Sequence, residues 1–313
     1  MVASVRGVTR STFPPKAAIL MGVRPLTIPT NLAEAVGRYG DDRRRSWIAR
    51  LPGIVDQCAD RWSLRVGEPF QPGGECAWVA PVRDLNGQPL VLKVSFRHVE
   101  SEHEAAGLQE WGGEATVLLH DASAEGDTCA LLLETCDPGT ELGRSEPGDR
   151  QDEIVAGLLR RLWREPSDGH PFRPLHVMCD QWADEYATKP DHPLDPGLAR
   201  EGLSLFRELP HSADRAVLLA TDLHGGNILA ARREPWLVID PKPYVGDPCY
   251  DVLQHMLNCP DRLAADPVGL AHRMADLADL DRDRVVQWLF ARCVQESPEW
   301  PGMADVARRL APR

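Results

Sequence analysis

The chain lacks any apolar run near the ~18 residues that a membrane-crossing helix needs, and its early stretch Ala17 to Val23 is interrupted by Gly22. None of its eight cysteines belongs to a C-x-x-C pair, so no dithiol redox motif or zinc knuckle is written here, and they read as reduced thiols of a cytoplasmic protein. Basic residues are short: 35 Lys and Arg stand against 47 Asp and Glu, a formal net charge of −12. Such a field repels phosphate backbones and anionic bilayers, which argues against nucleic acid or membrane as partner. Neither a G-x-x-x-x-G-K-[ST] phosphate loop nor a G-x-S-x-G nucleophile elbow occurs, and no 20- to 50-residue repeat is visible.

What remains is a folded chain of 313 residues, 43% hydrophobic and 26% charged, long enough for about two domains or two lobes around one cleft. The charge is uneven: residues 1–50 carry a local +6 and residues 51–313 carry −18, so a cationic ligand would be drawn to the larger part.

Residues 1–28, with Arg6, Arg10, Pro14 and Pro15, read as a disordered extension. From Leu32 to Trp62, Trp47, Leu51, Val55, Cys58 and Trp62 recur at three- and four-residue steps and predict two packed helices, with Pro52 capping or kinking one of them. Short β-prone runs follow at Cys76–Val82, Leu90–Phe96, Thr116–His120 and Cys129–Glu134, with Asn86-Gly87 marking a hairpin and a helical stretch at Val99–Trp111. Asp137-Pro138-Gly139 ends this unit. Helices dominate beyond it, interrupted by β-prone runs at Ile228–Ala230 and Trp236–Ile239.

The densest chemistry lies in Thr221-Asp222-Leu223-His224-Gly225-Gly226-Asn227 and in Ile239-Asp240-Pro241-Lys242. An aspartate, an asparagine five residues on and an aspartate ending an apolar strand suit metal-assisted phosphoryl transfer. The first carboxylate takes a hydroxyl proton, while the Asn oxygen and second carboxylate hold Mg²⁺ on nucleotide phosphates. Upstream, Lys93 sits among apolar residues on a strand and Glu104 on the helix that follows, the order of a kinase. Each feature alone also fits a capped turn, an edge-strand lysine or a surface glutamate. Asp180, Asp184 and Glu185, with Trp182, form an acidic patch that is either a solvated helix face or a cradle for cationic groups.

The chain resembles the aminoglycoside and hydroxyurea phosphotransferases of the streptomycin 6-kinase-like branch, from about Leu32 to at least Asn258. Asp222 to Asp251 carries the resemblance most specifically, through Arg233-Glu234-Pro235-Trp236, Ile239-Asp240-Pro241-Lys242-Pro243, Gly246-Asp247-Pro248 and Tyr250-Asp251. The resemblance implies an α+β, bilobal protein-kinase-like fold. Residues 29–136 would form a small nucleotide-binding N-lobe, with an antiparallel sheet, a helix and the leading helices. Residues 137–313 would form a larger, mainly helical C-lobe holding the catalytic loop and acceptor site. It implies ATP and Mg²⁺, and a small-molecule acceptor, an antibiotic of the streptomycin or hydroxyurea kind, cationic in the first case and neutral in the second. Asp222 becomes the base, Asn227 and Asp240 the metal ligands, Lys93 the phosphate anchor and Glu104 its partner. The hinge backbone from Glu134 to Cys136 would hold adenine, and Gly73 and Gly74 form an abbreviated phosphate loop. Asp247 and Asp251 would support the catalytic loop.

One departure stands out: Ala220-Thr221 replaces the His-Gly that usually precedes the catalytic aspartate. It leaves open a catalytically weak nucleotide-binding module. A metallohydrolase built on Asp222, His224, Asp240 and Asp247 is a further alternative.

Overall fold

The computed structural model describes residues 26–39, 41–99 and 101–312. Residues 26–28 do not belong to a disordered extension: Leu26 and Ile28 pack on the N-lobe core, and the Thr27 carbonyl accepts from the Trp78 indole at 3.0 Å. The rest of that expected segment lies outside the described residues.

Two helices lead, α1 (Thr30–Tyr39) and α2 (Asp42–Trp62). The break between them is fixed by Asp41, whose carboxylate caps α2 by accepting from the Arg44 amide at 2.8 Å. Pro52 lies inside α2 without ending it. Next come β1 (Arg65–Val66), β2 (Ala77–Arg83), β3 (Pro89–Phe96), α3 (Glu104–Trp111), β4 (Leu119–Glu125) and β5 (Thr128–Glu134). The strands form an antiparallel sheet in the order β1-β2-β3-β5-β4. Two-residue alternation in β3 sends Leu90, Leu92, Val94 and Phe96 into the core shared with Trp47, Leu51 and Val55. Lys93 therefore faces the other way, towards α3 and the second lobe.

Of the stretch expected as a strand at Thr116–His120, Leu119 and His120 open β4, while Thr116 and Val117 join the lobes. Thr116 bridges Val238, and the Val117 amide donates to the Val238 carbonyl at 3.1 Å.

The C-lobe contains α4 (Leu142–Ser145), α5 (Gly148–Leu162), β6 (Arg173–Pro174), α6 (Leu175–Tyr186), α7 (Pro196–Glu208), β7 (Val217–Leu219), β8 (Ile228–Ala230), β9 (Trp236–Val238) and β10 (Tyr244–Gly246). It continues through α8 (Pro248–Asp251), α9 (Leu253–Leu257), α10 (Pro260–Ala265), α11 (Pro267–Ala278), α12 (Arg282–Glu296) and α13 (Pro301–Leu310). Strands β8 and β9 pair as a hairpin, and β10 lies between β6 and β7. One large core, centred on buried residues such as Phe206, Met274, Trp288 and Phe290, underlies both small sheets. All eight cysteines are free thiols, and no described helix is long and apolar enough to cross a membrane.

Candidate active site

The buried strand β7 delivers the chain to Ala220, and the turn that follows is fastened from below by Asp251. Its fully buried carboxylate accepts from the Ala220 amide at 3.0 Å, the Thr221 amide at 2.6 Å and the Trp163 indole at 2.9 Å. Burial raises the Asp251 carboxyl to about 6, against the pull of those three donors. Thr221 has φ 49°, a left-handed conformation that a β-branched residue rarely adopts. Its hydroxyl donates to the Lys242 carbonyl at 2.6 Å, so the turn is tied on both sides.

Asp222 follows, its carboxyl pushed up to about 6 by burial, with Lys242 opposing and Asp240 adding to the rise. The Asn227 amide nitrogen donates to the Asp222 carbonyl at 2.9 Å, which leaves the Asn227 side-chain oxygen for a ligand. Across the β8–β9 hairpin, Asp240 is also left-handed, with φ 53°. One of its carboxylate oxygens accepts from Lys93 at 2.6 Å and Lys242 at 2.7 Å. Burial notwithstanding, those two ammoniums hold the Asp240 carboxyl well below its usual range. Lys93 in turn donates to both Glu104 oxygens at 2.7 Å. Two hard oxygen donors, Asn227 and Asp240, beside a carboxylate base match what Mg²⁺ prefers.

Five of the anticipated residues, Lys93, Glu104, Asp222, Asn227 and Asp240, thus meet in one network that crosses the lobes. Gly73 and Gly74 lie in the β1–β2 connection. Gly73 has φ 76°, and a Cβ there would come within 2.6 Å of Pro29, while its carbonyl accepts from Asn31 at 2.8 Å; the start of α1 pins this loop. At the hinge, the Glu134 amide is already given to the Leu118 carbonyl at 2.9 Å and its carboxylate to Arg233 at 2.9 Å. A base edge there would use the backbone around Cys136, whose thiol burial raises to about 12.

The acidic patch on α6 is a solvated face, with Asp184 78% exposed. Arg207 of α7 pairs with Asp180 at 3.2 Å and Asp184 at 2.8 Å, and Glu185 accepts from Gln181 at 2.8 Å. None of the three lines the cavity of about 470 Å³ beside the catalytic loop, whose walls include Glu141, Gln151, His224, Gly225, Asn258 and Arg262. His224 acts locally, its Nδ1 accepting from the Gly226 amide at 3.1 Å. Asp247 is taken up by Arg284 and the Trp288 indole, both at 2.6 Å. Among the described residues no three His, Cys, Asp or Glu side chains are grouped to hold a metal, so the hydrolase constellation does not assemble.

Sequence reasoning passed over Lys242, which stands 3.9 Å from Asp222, and Trp163, whose indole serves Asp251. The first was visible as a lysine two residues past the second aspartate; the second had no signal.

The sequence model for aminoglycoside/hydroxyurea antibiotic resistance kinases matches residues 61–302. A streptomycin 6-kinase from Streptomyces griseus is 35% identical over 86% of this chain and 89% of its own length. A hydroxyurea phosphotransferase from Kitasatospora aureofaciens is 35% identical over 86% of this chain and 78% of its own. Among solved structures, an amicoumacin kinase in complex with AMP-PNP, Ca²⁺ and Ami superimposes with a TM-score of 0.57 at 15% identity, covering 82% of this chain and 91% of that one. An aminoglycoside phosphotransferase from Streptomyces rimosus, in complex with ADP and streptomycin, gives 0.53 at 18% identity over 82% and 98%. At such identities these two speak for the bilobal kinase-like fold alone.

Proposed function

The chain belongs to the aminoglycoside/hydroxyurea antibiotic resistance kinase family, and from that premise we propose that it transfers the γ-phosphoryl group of ATP to a hydroxyl of a small-molecule antibiotic in the cytoplasm. The observation that carries this reading is the unbroken contact chain Glu104–Lys93–Asp240–Lys242–Asp222, every link 3.9 Å or shorter, joining the nucleotide side of the cleft to the acceptor side. Residues 29–136 supply the nucleotide half and residues 137–313 the acceptor half.

In the reaction the acceptor oxygen forms a bond to the γ-phosphorus, and its proton passes to Asp222. The bond from that phosphorus to the bridging oxygen breaks, with its electron pair leaving on ADP. Lys93, steadied by Glu104, anchors the α- and β-phosphates. Asn227 and Asp240 would hold Mg²⁺, which supplies charge neutralisation on the phosphate oxygens when bound. The hinge backbone near Cys136 receives the adenine, and the loop of Gly73 and Gly74 covers the phosphates. The net charge of −12 favours cationic acceptors over nucleic acid.

The weak-module alternative rested on Ala220-Thr221. Against it, the Thr221 amide and hydroxyl fasten the loop at 2.6 Å each. The deciding assay is Mg²⁺-dependent ADP release with streptomycin, other aminoglycosides and hydroxyurea as acceptors. We expect stimulation by at least one of them and a loss of about 10³-fold or more in Asp222→Asn. Undiminished turnover in that variant would refute the mechanism.

A further inference from the structure

The loop that runs from Asp222 to Asn227 contains no lysine or arginine: its interior is Leu223, His224, Gly225 and Gly226. Phosphoryl transfer spreads negative charge over the moving group, and a fixed cation beside it is among the larger sources of rate. Here a cation arrives from outside the loop. The Lys242 ammonium is 2.7 Å from Asp240 and 3.9 Å from Asp222, alongside the line between the proposed metal ligand and the proposed base. The transferring group has to occupy that line.

The Glu104 carboxylate is already matched by Lys93, which donates to both its oxygens, so Lys242 is not needed to balance Glu104. The Lys242 backbone is immobilised from both directions. Its amide donates to the Ala220 carbonyl at 2.8 Å, and its carbonyl accepts from the Thr221 hydroxyl at 2.6 Å. Pro243, next in the chain, presses on α3 at Gly107, where a Cβ would approach it to 2.4 Å. Thr221 holds a left-handed φ of 49° that glycine would adopt at no cost; what threonine adds is the hydroxyl.

We infer that Lys242 is the cation that stabilises the transferring phosphoryl group, and that Thr221 is the positioning residue that aims it. This rests on the kinase reading above. Lys242 forms and breaks no covalent bond: the phosphorus exchanges its bridging oxygen for the acceptor oxygen, Asp222 takes the proton, and the ammonium keeps its own.

The test compares the wild type with Lys242→Met, Thr221→Gly, Thr221→Val and Thr221→Ser. It measures Mg²⁺-dependent binding of ADP and of AMP-PNP by calorimetry, acceptor-dependent kcat, and the thermal midpoint as a check of folding. Lys242→Met is expected to weaken AMP-PNP about tenfold while sparing ADP, and to lower kcat about 10²-fold. Equal or tighter binding of both nucleotides would mean that Lys242 only neutralises Asp240 until metal arrives, and would overturn the proposal. Thr221→Gly and Thr221→Val are expected to lose kcat about tenfold or more with ADP affinity intact, and Thr221→Ser to restore it. Full kcat in Thr221→Gly would refute the positioning role. A wild type that binds neither nucleotide would instead fail the kinase reading itself.

Discussion

Lys93 and Glu104 stand 11 positions apart in the chain and 2.7 Å apart in space, and both are less than a tenth exposed. A buried ammonium without its carboxylate is far more costly than the intact pair is stabilising. Glu104→Gln keeps the shape and removes the charge, and leaves Lys93 with Asp240 alone. We expect it to cost about 3 kcal/mol of stability, read from the urea midpoint, together with a higher KM for ATP. A change below about 0.5 kcal/mol, the range of ordinary surface substitutions, would show that the pair carries no weight. Lys93, Glu104, Asp222, Asn227 and Asp240 were legible in the sequence because their order and spacing along the chain are themselves the signal. The pairing of Arg207 with Asp180 and Asp184 was not, because it depends on which faces of α6 and α7 meet. The service of Trp163 to Asp251 was hidden for the same reason, since their 88-residue separation leaves no local pattern.

At the scale of elements, α5 is locked to three later helices through a single side chain. Asp152 is fully buried and accepts from His255 of α9 at 2.8 Å, Arg262 of α10 at 2.6 Å and Arg273 of α11 at 2.7 Å. Burial favours the neutral acid, yet these three donors hold the carboxyl far below its usual range. A depressed carboxylate pKa gives stability that is present above the unfolded value, near 4, and is lost as pH falls below it. Asp152→Asn is therefore expected to lower the unfolding free energy by about 3 kcal/mol or more at pH 7. The gap to wild type should narrow as the pH drops below about 4, followed by chemical denaturation at each pH; a gap independent of pH would assign the loss to packing instead. That helices dominate beyond Asp137-Pro138-Gly139 was readable in the sequence, but the hub that joins them was not. The strands β1, β6, β7 and β10, two or three residues each, are too short to show a two-residue period and exist only through distant partners.

At the scale of the whole molecule, the two lobes share side chains as well as a cleft. Leu237 of the C-lobe hairpin is fully buried with Leu108, Val117, Leu131 and Leu133 of the N-lobe, and Val238 donates its amide to the Ala115 carbonyl at 2.9 Å. The bilobal plan was visible in the sequence through the resemblance around Asp222 and Asp251, whereas this seam was not: Thr116 and Val117 read as the start of the β-prone run Thr116–His120. A seam of apolar contacts and backbone bonds couples the unfolding of one lobe to that of the other. The protein should accordingly melt in one calorimetric transition, with calorimetric and van't Hoff enthalpies in agreement. Leu237→Ala removes most of a buried leucine from the seam and is expected to cost about 2–5 kcal/mol. If the coupling is as tight as these contacts imply, the whole transition moves to lower temperature. If the lobes were independent units, the substitution would split the transition in two and leave the upper midpoint in place.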